Sequence, residues 1–483
     1  MRLLMATFVA ALLLCLMPPA HAAPEFSAED AQRDLRILKR AFTELHPGLY
    51  RYTSAAQLDA DFAAAEAEVA QGASRAQMFL LVSRLAASVR CGHTWAGRYN
   101  QPKAVVEQLF NRADKLPFTL RVVQGRFLVT GSMRADIAPG AEVLTIDGQS
   151  SAAIVSSLMP YIRADGGLDG STDGKRLSQL DSGSNGGAMD RLFPLRFPPQ
   201  GGGFDLSLRD APGKAPRSLR VSAVREAERD AAGLAPASSA WAFSIEGDTA
   251  WLTLPTFAFW GSRFDGRAFL ARSFAELDAK KIPFLVIDIR RNEGGDDQLG
   301  HALLSYLLRE PFTVPGGRRE SAYERAPYNL VRYLDTWDYS FFDRTGKATR
   351  GPGRNCVLSD SASRRIEPAA VPYAGRSIVL VGPQNSSAGY LLARDVQRSK
   401  AATLVGQRTG GNLRGLNGGE ITWITLPASG VAVDIPLLAH FASGTEPDAG
   451  VLPDITEPAL FDEAAAGIDA EVAAARRLIA SWR

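Results

Sequence analysis

Cysteine, histidine and unbalanced charge are all scarce in this chain. Three cysteines in 483 residues, Cys15, Cys91 and Cys356, are too few for a disulfide framework. They lack the paired spacing of a zinc site, and the five histidines are scattered, so the sequence implies no metal and no other cofactor. With 54 Lys+Arg against 52 Asp+Glu, the formal charge of +2 gives no electrostatic footprint for nucleic acid. The one long apolar run lies at the start, after Arg2, and ends before Ala20-His21-Ala22. That pattern predicts a signal peptide over 1–22 and a periplasmic or secreted protein. Cys15 follows three leucines rather than a small residue, so it does not read as a lipid-attachment site. No later segment is apolar enough over sufficient length to span a bilayer. Cys91 and Cys356 would remain after cleavage, either as a disulfide or as two buried thiols.

What is present is a pair of strand–turn–helix units. Residues 377–381, Ser-Ile-Val-Leu-Val, read as a buried strand that runs through Gly382 and Ser386-Ser387-Ala388-Gly389 into a helical pattern. A serine at a helix start can be a simple N-cap, or a nucleophile beside N–H groups that have no intrahelical acceptor. Upstream, 284–290 is a near-continuous apolar strand of the kind buried in a parallel sheet. It ends in Arg291-Asn292-Glu293-Gly294-Gly295, where glycine lets the backbone approach a ligand, and a helical pattern follows over 298–308.

These two units, followed by Gly406-Gln407-Arg408-Thr409-Gly410-Gly411-Asn412, resemble the C-terminal processing peptidases, or tail-specific proteases, a serine peptidase family that includes the tricorn core protease. The resemblance covers about 250–454. It implies a crotonase-like ββα spiral core, Ser387 as nucleophile, and an oxyanion hole made by Ala388 with Gly294 and Gly295. Members with a Ser-Lys dyad carry lysine where this chain has Asn412, which cannot accept the serine proton. Lys400, the nearest lysine in sequence, ends a polar helix and reads as solvated.

A histidine is then needed as base. His93, in Cys91-Gly92-His93-Thr94, resembles the Gly-His-Thr element of the tricorn-like branch, which implies that it activates Ser387. His46 reads as structural or substrate-side, His301 and His440 as packing residues with His440 the reserve base, and His21 falls in the leader. The acid implied by the resemblance lies in Thr445-Glu446-Pro447-Asp448-Ala449-Gly450, where Glu446 and Asp448 both qualify and the longer Glu446 is preferred. Gly92 stands where that branch places an orienting serine.

Length alone predicts several domains. The pattern divides into an N-terminal helical region over 23–100, a strand-rich segment over 101–225 and a catalytic α/β domain over 238–483. The second is expected to be a PDZ-like domain, since Pro139 to Gly148 resembles the strand and turn of a PDZ domain. Residues 166–203 are rich in Gly, Ser and Asp and read as a mobile loop or lid, and an aromatic insertion over 323–342 lines a pocket or packs a subdomain. The expected class is therefore α/β multidomain, and the expected activity is a secreted Ser-His peptidase acting on peptides or proteins through an acyl-enzyme. A noncatalytic binding protein of the same fold and a Ser-His esterase are the alternatives. Oligomeric state is not encoded in any motif.

Overall fold

The computed structural model describes residues 24–167, 170, 173–182, 187–235, 239–358, 363–442 and 444–483. The expected leader, with Cys15 and His21, and parts of the Gly-rich loop lie outside the described residues. Among those residues no helix is long and apolar enough to cross a membrane.

Two six-stranded sheets organise the chain. The first, spanning Phe118–Val123 to Arg217–Ser222, is antiparallel throughout. The second has the order Ile455–Thr456, Thr403–Gly406, Arg376–Val381, Phe284–Asp288, Thr249–Thr253 and Ala242–Glu246. Its first five strands are mutually parallel, and only Ala242–Glu246 runs against its neighbour. The apolar runs at 284–290 and 377–381 become its two central strands, register-matched from Arg376 opposite Phe284 to Leu380 opposite Asp288. Both are buried on two faces, one packed by the helices Asp297–Leu307 and Ser387–Ser399 and the other by Ala470–Trp482.

The N-terminal helices do not form a core of their own. Helix Ala28–Leu45 starts at Ser27, whose hydroxyl accepts from the Asp30 N–H at 3.1 Å, and buries Ala31, Leu35, Leu38, Phe42 and Leu45 along one stripe. Helix Arg75–Ser88 begins with a reciprocal Ser74/Gln77 capping box. Their apolar faces join Phe118, Phe127 and Phe204 of the antiparallel sheet and Ile424, Val433 and Ile435 of the hairpin Ile421–Thr425/Ala432–Pro436 in one continuous core. Buried Asp34 fixes that hairpin's turn, accepting from the N–H of Ala428 at 3.0 Å and from the N–H and hydroxyl of Ser429 at 2.7 Å each. In the aromatic insertion Phe341 and Phe342 pack against the same core, whereas Trp337 and Tyr339 are exposed.

The disulfide weighed from the sequence does not form: Cys91 and Cys356 are both buried, free thiols. Cys356 is held in the strand Cys356–Leu358 by pairing with Ser321 and Arg350. Cys91 instead faces Thr94, Asn417 and Asp165.

His46 is fully buried, with Nε2 3.0 Å from the Thr94 hydroxyl, and burial aided by Arg354 and Arg51 pushes its imidazole down to about 3. Burial, with Arg319 and Arg51, pushes His440 down to about 4. Both rings are neutral in the fold but take up protons in the unfolded chain below the ordinary value of 6.5. Folding stability should therefore fall as pH drops from near 6.5 towards those folded-state values. Each ring adds a slope of up to about 1.4 kcal/mol per pH unit. In urea unfolding at several pH values, His46→Gln should show a shallower loss than wild type; parallel curves would refute the assignment.

Candidate active site

The two central strands end side by side, so the turns that follow them meet at one sheet edge. Two buried asparagines hold those turns together. Asn385 accepts from the Gly382 N–H at 2.8 Å and donates to the carbonyls of Ile289 and, at 3.1 Å, Asn292. Asn292 donates to Leu254 O at 2.9 Å and accepts from the Gly294 N–H at 2.8 Å.

The glycine turn is thereby pressed against the serine. A Cβ added at Gly294 would lie 2.8 Å from Ser387 Cβ and 2.9 Å from the Ala388 nitrogen, and one at Gly295 would strike the Phe257 backbone. Both glycines have positive φ, 114° and 133°. The Gly294 N–H is already donated to Asn292, which corrects its expected share in an oxyanion hole. The Gly295 N–H lies outside the local pairing with Phe257, and the Ala388 N–H, at the second helical position, has no intrahelical acceptor.

Ser386 occupies the N-cap position, yet its side chain caps nothing; its hydroxyl donates to Glu293 O at 3.1 Å. Ser387, the first helical residue, has φ 48°, in the left-handed region that a side chain adopts only at a cost. Helix starts do not require that conformation. It sets the Ser387 Cβ at the point where the glycine turn arrives.

A second group of charged residues packs beside this turn. Arg163 donates to Gly92 O at 2.5 Å, lies 3.6 Å from the Trp95 ring centroid and approaches Glu293 at 3.5 Å. Asp165, 4 % exposed, accepts the Gly92 N–H on Oδ1 at 2.7 Å. Lys175, on helix Asp173–Ser178, is buried with Nζ 3.4 Å from Glu293, 3.1 Å from Gln384 O and 3.4 Å from the Ser386 hydroxyl. Burial pushes its ammonium below the ordinary range, with Glu293 opposing. Burial alone would raise Glu293, but Lys175 and Arg163 outweigh it and hold the carboxyl below its usual range.

His93 joins this group from the N-terminal half. Its segment is pinned by Trp95, which pairs with Asp434 of the hairpin, and its ring rests on Gly418, where an added Cβ would lie 3.0 Å from Cε1. Burial pushes the imidazole below its ordinary value, Asp165 opposes, and Arg163 and Lys175 add to the lowering. Among the described residues no hydrogen bond joins His93 to Ser387, a gap that unliganded sites commonly show.

The expected acids separate. Glu446 pairs with Arg398 at 2.7 Å in the last turn of the serine helix, at the opposite end from Ser387. Asp448 lies closer, accepting from Asn412 at 2.7 Å and from the Gly167 N–H at 3.2 Å. Asn412 also donates to Asp165 O at 3.1 Å, so the residue that replaces the family lysine ties together two loops. Lys400 is an exposed C-cap, His301 bonds Arg364 through Nδ1 at 2.8 Å, and His440 lies on the strand Ala439–Phe441 opposite Arg319. Arg163, Asp165, Lys175 and Glu293 were missed from the sequence. Glu293 was legible beside its glycines; the others come from a polar stretch with no periodic signal.

Residues 248–456 match the model of peptidase family S41. This segment, which holds both central strands, the glycine turn and the serine helix, carries the likeness to a serine-type peptidase. Among solved structures it resembles mature CPAF complexed with lactacystin at 16 % identity and a TM-score of 0.62, over 93 % of this chain and 97 % of that one. It also resembles mature CPAF at 16 % identity and a TM-score of 0.59, over 91 % and 94 % of the two chains. At that identity the likeness establishes the fold. No curated protein matches the chain.

The S41 serine turn makes a stability prediction. Ser387→Gly and Ser387→Ala both remove the hydroxyl, but only glycine relieves the positive φ. The glycine variant should be more stable in urea unfolding by about 1 kcal/mol; equal stabilities would mean the serine is unstrained.

Proposed function

We propose that this S41 peptidase cleaves peptide bonds by acylation of Ser387, with His93 as general base. His93 takes the hydroxyl proton as Ser387 Oγ attacks the scissile carbonyl. The oxyanion is received by the N–H groups of Gly295 and Ala388, and His93 returns the proton to the leaving amine. Water then repeats the sequence to release the acyl group. Asp165, next to His93 and anchored by the Gly92 N–H, stabilises the imidazolium, a role assigned from the sequence to Glu446 or Asp448. The leader supports an exported enzyme. The observation that carries the reading is the positive φ of Ser387 against the Gly294–Gly295 turn.

A fluorophosphonate probe tests it on the purified chain. Labelling should vanish in Ser387→Ala and persist in Ser386→Ala; equal labelling of both variants removes Ser387 as nucleophile. Turnover of matched amide and ester substrates separates a peptidase from an esterase.

Lys175 supports a second reading, because its buried ammonium reaches the serine turn. With His93 as base, His93→Ala should lower kcat/KM by about 10² or more, and Lys175→Ala by less. The reverse order would move the base to Lys175.

The PDZ-like element at Ile146-Asp147-Gly148 supports recognition of a substrate's free C-terminus by strand addition. Peptide acids should then be cut with higher kcat/KM than the matching amides. Equal values would mean that this domain does not read carboxyl termini.

A further inference from the structure

We propose that Cys91, His93 and Asp165 form a binding site for a thiophilic divalent cation such as Zn²⁺, and that filling it withdraws His93 from catalysis. The ligand atoms of these three side chains all lie within 4.8 Å of one another. Thiolate, imidazole and carboxylate together are the donor set of borderline-soft cations, not of Mg²⁺ or Ca²⁺.

Two independent features aim these donors at a shared point. Asp165 Oδ2 and His93 Nδ1 are buried side-chain atoms without a hydrogen-bond partner, a costly state that a cation would relieve. Asp165 is also oriented: Oδ1 is fixed by the Gly92 N–H at 2.7 Å, which leaves Oδ2 as the free oxygen. Gly92 is required for this approach, since a Cβ there would collide with Oδ2. The sequence implied no metal because its histidines are scattered and its cysteines lack paired spacing; the third donor here arrives from a loop more than seventy positions away.

The charge balance is favourable. Binding breaks the Cys91 S–H bond, forms a sulfur–metal bond and sends the proton to solvent, with no change of oxidation state. Thiolate and carboxylate then neutralise the dication, so the filled site places no net charge beside Arg163 and Lys175.

The binding clause stands on the cluster alone, whereas the inhibition clause rests on His93 as general base. Co²⁺ and Zn²⁺ titrations of the chelator-treated full chain separate them. One Co²⁺ per chain should bind with a sulfur-to-cobalt charge-transfer band that Cys356→Ala retains and Cys91→Ala loses. Zn²⁺ affinity should fall on the order of 100-fold or more in Cys91→Ala. Should that variant fail to fold by circular dichroism, Asp165→Asn should keep the band with weakened affinity. Absence of the band in wild type, or its survival in Cys91→Ala, overturns the site. Zn²⁺ should inhibit peptide cleavage reversibly to chelator. Relative to its own metal-free rate, Cys91→Ala should need about 100-fold more Zn²⁺ for the same inhibition. Metal binding without inhibition would uphold the site and overturn His93 as base.

Discussion

The paired amides of Asn292 and Asn385 are the constraint on which the serine turn depends. Each is buried, and each bonds backbone atoms of both its own turn and a neighbouring segment. An unsatisfied amide at that depth would cost the fold, so the two turns cannot separate without exposing or orphaning these groups. Their rigidity lets a strained Ser387 persist, because the surroundings determine its backbone more strongly than its own preference does. The same clamp brings Gly389 of the serine helix against the Asn292 carbonyl, where a side chain would not fit.

The segment bearing His93 is held by long-range packing. Trp95 pairs with Asp434, the hairpin is anchored by Asp34, and Arg51 donates to Gly415 O at 2.6 Å and to His440 O at 2.8 Å. These contacts place the His93 segment over the loop that carries Gly418. The N-terminal helices therefore act as a wall of the site rather than as an appended cap.

The parallel core was readable because its strands are apolar runs bounded by glycine, a pattern that buried strands require and few other elements produce. The turn bearing Ser387 was readable for the same reason, since strand, small residues and helix follow one another locally. Asp165 and Lys175 were not. Their segment is polar, rich in glycine and without a period, and their meaning arises only when it folds onto residues 90–95 and 382–386. The preference for Glu446 over Asp448 rested on side-chain reach, which says nothing about which end of a helix a loop crosses; Arg398 holds Glu446 at the C-terminal end. Weighing a Cys91–Cys356 bond against two buried thiols used cysteine number where only three-dimensional proximity decides.

Pairing of Trp95 with Asp434 has a consequence for the order of assembly during synthesis. The segment bearing His93 leaves the ribosome early, but the hairpin strand that seats it is made after the serine helix, and the sheet edge is closed later still by Ile455–Thr456. A nascent or C-terminally truncated chain can hold the serine turn and the histidine without holding them in register. Seating of the His93 segment is thus postponed until the hairpin strand Ala432–Pro436 has been made.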